Sequence, residues 1–185
     1  MEKKYELIPS DKAGLYRIKA LKDFADVKVG DIGGYVSGEH NLSHDDTCWI
    51  YHNAQVYDNA RVSGHALVYG NALVYSNAQV YGSAQVYDSA RVYDNARVSD
   101  YARVSGNARI YSGTIKSTND YMTIGPIGSR DAFTTFFKDE DKIMVSCGCF
   151  NGTIQEFETQ VKEIHQDNKF AKQYLSAILC CKTRI

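Results

Sequence analysis

From Ala54 to Gly113 apolar and polar positions recur with a period of six, in ten hexads without insertion or deletion. Each hexad runs small residue, variable residue, β-branched residue, then three corner residues drawn mostly from Tyr, Ser, Asp, Gly and Asn. The small position is Ala in every hexad, from Ala54 to Ala108, and the β-branched one is Val56, Val62 and onward to Ile110. Residues two apart on a strand share a face, so Ala and Val point to one side and the variable residue, such as Arg61, Arg91 or Arg97, to the other. The Gly, Asp and Asn that follow suit the left-handed backbone of a tight corner. A helix of 3.6 residues per turn does not hold a six-residue period in register, and a meander would not place equivalent residues at every bend. A coil does. Three hexads make a triangular turn of 18 residues in which each Val stacks on the Val one turn below and neighbouring turns hydrogen-bond at about 4.8 Å.

The spacing of an aliphatic residue and a small residue four later, as in Val56/Ala60 and Val62/Ala66, resembles the hexapeptide-repeat left-handed parallel β-helix family. That resemblance implies the left hand, which runs against the usual right-handed crossover of parallel strands. Backward extension through "NLSHDDTCWIYHN", with Leu42 and Ile50 inward, makes about four coils. The expected fold is mainly β, a left-handed parallel β-helix over 42–118, preceded by an N-terminal β cap over 1–41 and followed by a small ββαα module over 119–185.

The 18-residue turn predicts aromatic ladders, one of Tyr57, Tyr75, Tyr93 and Tyr111 and a second of Tyr51, Tyr69 and Tyr87. Ladders stabilise a coil by themselves. With Leu67 and Leu73 beside Tyr69 and Tyr75, the same surface also suits a homo-oligomer interface built from Leu67, Tyr69, Leu73, Tyr75, Tyr87 and Tyr93, and analogy with the fold makes it a parallel trimer.

The ends break the period. "YELIP", "GLYRIKALKDF" and "VKVGDIGGYV" read as short strands covering the first coil, whose open edge would otherwise recruit other chains. After Asn119, Phe133–Lys138 and Lys142–Phe150 read as a hairpin around Asp139-Glu140-Asp141. Thr153-Ile-Gln-Glu156 has capping-box spacing and opens a helix with Phe157, Val161 and Ile164 as its apolar stripe. Asp167-Asn168 interrupts it, and a last helix follows with Phe170, Tyr174, Ile178 and Leu179 inward.

Composition narrows the function. With 21 Lys+Arg against 22 Asp+Glu in 185 residues, the chain lacks the basic footprint of a DNA or RNA binder. Its charged start is no secretory leader and no apolar run approaches a membrane span, so a cytoplasmic protein is expected. Five cysteines in such a chain read as free thiols.

Candidate chemistry concentrates in Gly125-Pro126-Ile127-Gly128-Ser129-Arg130. Two glycines allow backbone N–H groups to converge, Ser129 adds a hydroxyl and Arg130 a forked cation, which suits an anion cradle as well as it suits a tight turn from coil to module. Cys147-Gly148-Cys149-Phe150 lies on the neighbouring strand, and His165 approaches from the helix. Structural zinc needs four convergent ligands and no second pair accompanies these, so no metal or cofactor is expected. Acyl transfer, common among hexapeptide-repeat proteins, uses a His near a loop projecting from the coil. Here no loop projects between Ala54 and Gly113, and His52 and His65 sit at corners.

Over nearly its whole length the chain resembles a group of phage and prophage β-helix proteins, through "LYRIKALKDF", "VKVGDIGGYV", "NLSHDDTCWIY", "IGPIGSRD", "CGCFNGTIQEF" and "YLSAI". The resemblance implies a phage context and the host cytoplasm. The expectation is a non-catalytic oligomer that sequesters a small nucleotide-like ligand at Gly125–Arg130 and Cys147–Phe150, such as a signal of host antiviral defence. A structural or protein-docking rod is the alternative.

Overall fold

The computed structural model describes residues 2–185. The chain opens with β1 (Tyr5–Pro9), β2 (Tyr16–Ala20) and β3 (Ile32–Val36), an antiparallel set whose last strand pairs in parallel with the coil. Two-residue strands then recur: β4 (Trp49–Ile50), β5 (Gln55–Val56), β6 (Arg61–Val62), β7 (Leu67–Val68), β8 (Leu73–Val74), β9 (Gln79–Val80), β10 (Gln85–Val86), β11 (Arg91–Val92), β12 (Arg97–Val98), β13 (Arg103–Val104), β14 (Arg109–Ile110) and β15 (Thr114–Ile115). They form three parallel sheets, β3-β5-β8-β11-β14, β4-β7-β10-β13 and β6-β9-β12-β15, a β-solenoid of about four turns.

The repeat acts as expected. Every Ala and β-branched position from Ala54 to Ile110 is essentially inaccessible, forming one continuous stack. Each corner carries one residue at positive φ, in order Asp58, Gly64, Gly70, Ser76, Gly82, Asp88, Asp94, Asp100 and Gly106. Asp, Ser and Gly fill that slot because β-branched or bulky side chains pay most for it. The corners also enter the hydrogen-bond ladder, as with Asn71 N–H to the Asp88 carbonyl at 2.7 Å. The period slips after Ile110. Gly113 takes the slot held elsewhere by Ala, accepting from Arg97 N–H at 2.9 Å, so Val98 pairs with Ile115 across 17 residues.

Within the strands the parallel pairing carries bonds in both directions, but the bonds at the corners and strand ends run from an N–H in one coil to a carbonyl in the next, so the first coil presents corner carbonyls and the last presents N–H groups without a coil partner. Each end is closed by the opposite chemistry. Lys4, fully buried, donates from Nζ to the carbonyls of Asp45 (3.2 Å), Asp46 (3.4 Å) and Cys48 (2.9 Å). Tyr5 donates to Leu42 O at 2.7 Å, and Asn41 Nδ2 to Asp58 O and Ala60 O. At the far end Arg109 N–H donates to Thr135 Oγ1 at 3.0 Å and Ser105 N–H to Tyr121 Oη at 3.2 Å.

The C-terminal module differs from the ββαα expectation: four antiparallel strands, β16 (Tyr121–Ile127), β17 (Ala132–Asp139), β18 (Lys142–Cys147) and β19 (Phe150–Thr153), precede α1 (Ile154–His165) and α2 (Lys169–Arg184). Gly125-Pro126 hid β16. The register shifts between Ile124 and Ile127, and β16 lies at the sheet edge, where Pro is tolerated. Gly148, at φ 61, splits the expected run Lys142–Phe150 into two strands. Strand alternation in β17 joins the layers. Phe137 belongs to the coil core, and Phe136 packs with Phe157, Val161, Tyr174 and Ile178 under the helices. Ile164 is 62% exposed and Leu179 66%, so neither is core. His165 takes the last inward place of α1 against Phe170 and Tyr174, and Leu179 lies about 100° round from Ile178.

The ladders form with two departures. Tyr57–Tyr75 and Tyr75–Tyr93 stack at 5.1 Å with nearly parallel rings, as do Tyr69 and Tyr87 at 4.8 Å. Tyr51 instead turns its hydroxyl to Asp26 at 2.7 Å, and Tyr111 tilts 42° from Tyr93 to meet Phe137 edge-on.

Candidate functional site

The residues read from the sequence separate into two groups. Ser129, Arg130, Cys147, Gly148, Cys149 and Phe150 line one cleft of about 180 Å³ between the sheet and the helices. Gly125, Pro126, Ile127 and Gly128 do not line it, so the expected cradle of glycine amides is not built. A Cβ on Gly125 would sit 2.7 Å from the Ala132 carbonyl, which makes this glycine the close crossing of β16 over β17. Gly128 is held against α2. Its N–H donates to Gln173 Oε1 at 2.9 Å, and a Cβ there would collide with the Tyr174 hydroxyl. Both glycines serve packing.

The cleft itself has an aromatic floor and a cationic rim. Phe150 and Phe157 approach at 5.1 Å, and Phe157 meets Tyr174 edge-on at 5.5 Å. Gly148-Cys149 makes the turn between β18 and β19, with positive φ at the first central residue only, as in a type II′ hairpin. This turn brings Cys149 Sγ to 3.9 Å from Arg130 Nη1. Cys147 Sγ receives the Thr134 hydroxyl at 3.1 Å. Burial, with Cys147 beside it, pushes the Tyr174 hydroxyl up to about 12, so it remains a protonated donor at neutral pH. His165 lines the cleft from α1, as the helix pattern suggested. Phe157, Gln160, Val161 and Tyr174 also line it, and only their helical spacing marks them in the sequence.

Arg130 forms no ion pair with a carboxylate among the described residues. The cleft can therefore offer a planar, forked cation together with an apolar, aromatic surface. No cluster of three or more potential metal-ligating side chains occurs among the described residues.

A larger depression of about 700 Å³ lies beside the N-terminal cap, lined among others by His44, Arg61, Gln79 and Tyr81. It arises where a single bridge, Leu42 to Val62, covers the outer edge of β6. His44 Nδ1 accepts Lys4 N–H at 3.2 Å and burial lowers its pKa, so the ring is a neutral part of the cap. The corner histidines have local roles: His65 bonds Thr47 at 2.8 Å, and His52 holds a positive φ.

Solenoid and capping module together define a β-solenoid protein. The coil matches the repeat described as YdcK beta solenoid repeat over residues 54–69, 66–82, 84–100 and 90–104, which leaves both ends of the chain outside the similarity. The search of curated proteins gives no match. No helix among the described residues is long and apolar enough to cross a membrane.

Proposed function

We propose that the chain is a non-catalytic binder that sequesters a small phosphate-bearing molecule in the Arg130 cleft. One observation carries the reading: a guanidinium without a carboxylate partner among the described residues lines the same concave cleft as Phe150, Phe157 and Tyr174, backed by two packed layers. Nucleotides have the matching chemistry, a flat ring for the aromatic floor and phosphate oxygens for the fork. The phage resemblance points to a nucleotide signal of host defence. A rigid scaffold with preformed sites loses little entropy on binding and needs no turnover to remove its ligand.

Thermal-shift titration with cyclic dinucleotides and ADP-ribose derivatives tests this, since a ligand of the native state raises the melting temperature by mass action. The expected result is a shift for at least one of them that Arg130→Gln abolishes. No shift from any of them overturns the reading in favour of a structural or docking rod. The reading extends to an oligomer that displays several copies of the cleft, with the half-buried Leu73, Tyr75 and Tyr93 surface as the contact. Leu67 and Tyr69, on the adjoining sheet, continue that surface, although Leu67 also packs against the core of its own chain. Tyr87, stacked on Tyr69, completes it. Mass measurement in solution checks this; a monomer at micromolar concentration removes the oligomer.

A further inference from the structure

Each coil strand presents one residue outward, and these stack in register along each face. On the β6 face the column reads Arg61, Gln79, Arg97, Thr114, so cations alternate with neutral groups. On the β4 face it reads Trp49, Leu67, Gln85, Arg103, with a single cation. The third face reads Tyr35, Gln55, Leu73, Arg91, Arg109. There two arginines stand directly opposite one another on adjacent parallel strands. Strand neighbours lie about 4.8 Å apart, and like charges in that relation are destabilising.

Nothing among the described residues offsets the pair. Neither arginine makes an ion pair among the described residues. Arg109 spends one guanidinium donor on a long bond, 3.5 Å to the Gly148 carbonyl. Both side chains line a second cleft of about 210 Å³ with Ser89, Asn107 and Phe133. This cleft and the Arg130 cleft share Ala132 and Gly148 as a common wall. Each alone falls below the roughly 300 Å³ from which small-molecule sites usually start, and only the two together reach it.

We propose that the Arg91/Arg109 cleft is a second anion subsite, and that the ligand is a polyphosphate-bearing molecule whose chain lies across Arg91 and Arg109 with its far end toward Arg130. Two guanidinium forks, the Ser89 hydroxyl and the Asn107 amide supply donors for several phosphate oxygens, more than one monophosphate presents in the right places. This identity of the ligand rests on the Arg130 reading; the subsite itself is tested without it.

The experiment titrates the full chain with inorganic tripolyphosphate and, separately, with nucleoside triphosphates, against sodium chloride at matched ionic strength, reading affinity by calorimetry and melting temperature by fluorimetry. Tripolyphosphate is expected to bind and raise the melting temperature. Arg91→Gln and Arg109→Gln are each expected to weaken it about tenfold or more. The same two variants are expected to melt higher than the parent without ligand at low salt, because the repulsion is gone, and this gain fades as salt is added. Arg97→Gln, whose column neighbours are Gln79 and Thr114, does neither. Tripolyphosphate binding no better than salt, or binding equally well to Arg91→Gln and Arg109→Gln, overturns the subsite even if nucleotides still bind through Arg130. Tripolyphosphate binding that depends on Arg91 and Arg109, with nucleotide binding indifferent to Arg130→Gln, upholds the subsite and overturns the earlier reading.

Discussion

Tyr75 stands between two ring partners, Tyr57 and Tyr93, each at 5.1 Å and within 5° of parallel. Tyr81 holds the same place in its own hexad, but the chain puts Ser63 and Ser99 in the neighbouring coils, and it stacks on no ring among the described residues. Serine is native to this corner position, so Tyr75→Ser and Tyr81→Ser leave the backbone geometry intact. Each loses the partial burial of one phenol ring. Only Tyr75→Ser loses two stacked pairs, worth about 0.5–1.5 kcal/mol each beyond the buried area. The difference between the two variants is therefore expected at about 1–3 kcal/mol, with Tyr75→Ser the less stable. Urea unfolding followed by circular dichroism measures it. The m-values must agree between variants, because a changed slope would mean that the coil no longer unfolds as one unit. In a chain of this length the difference appears as about 2–4 °C in melting temperature per kcal/mol. Equal destabilisation by the two substitutions refutes stacking as a source of coil stability.

Gly128→Ala is expected to destabilise the C-terminal module and abolish the Arg130 cleft, since the new methyl meets the Tyr174 hydroxyl and φ is +77; hydrogen exchange that loosens α2 while sparing the coil checks it, and unchanged protection of α2 counts against the packing role. Glu158 pairs with Lys162 within α1 at 2.7 Å and bridges to α2 through Lys182 at 2.8 Å, and those hydrogen bonds lower its carboxyl to about 2. Because the folded value lies below the unfolded one, its contribution is complete above about pH 4.5 and is lost as pH falls toward 2. Urea midpoints across that window are expected to fall less steeply for Glu158→Gln than for the parent, and parallel curves would remove the bridge as a source of acid sensitivity.

The coil was legible because its code is local and repeated. Ala and Val two apart, with a corner residue that tolerates positive φ, specify the same bend nine times, and each repeat reinforces the inference from the last. The capping box at Thr153 and Glu156 was legible for the same reason, since its partners are three residues apart: Thr153 N–H donates to Glu156 Oε2 at 2.7 Å. The candidate site was half legible. Arg130 and the Cys147–Phe150 turn were found from chemistry-bearing residues in short stretches, whereas the glycines beside them turned out to serve strand crossing and helix contact.

What the sequence alone determined is the solenoid, its inward stack and most of its tyrosine ladder, because a period shows which residues are equivalent without showing where anything else sits. Tertiary structure decided the rest. That Lys4 closes the carbonyl end of the coil, that Thr135 and Tyr121 close the amide end, and that Arg130, Arg91 and Arg109 share two adjoining clefts all depend on contacts between segments tens of residues apart. Such contacts are selected by which backbone groups the coil leaves unpaired at its two ends, and by the face on which the capping module comes to rest, neither of which any local pattern encodes.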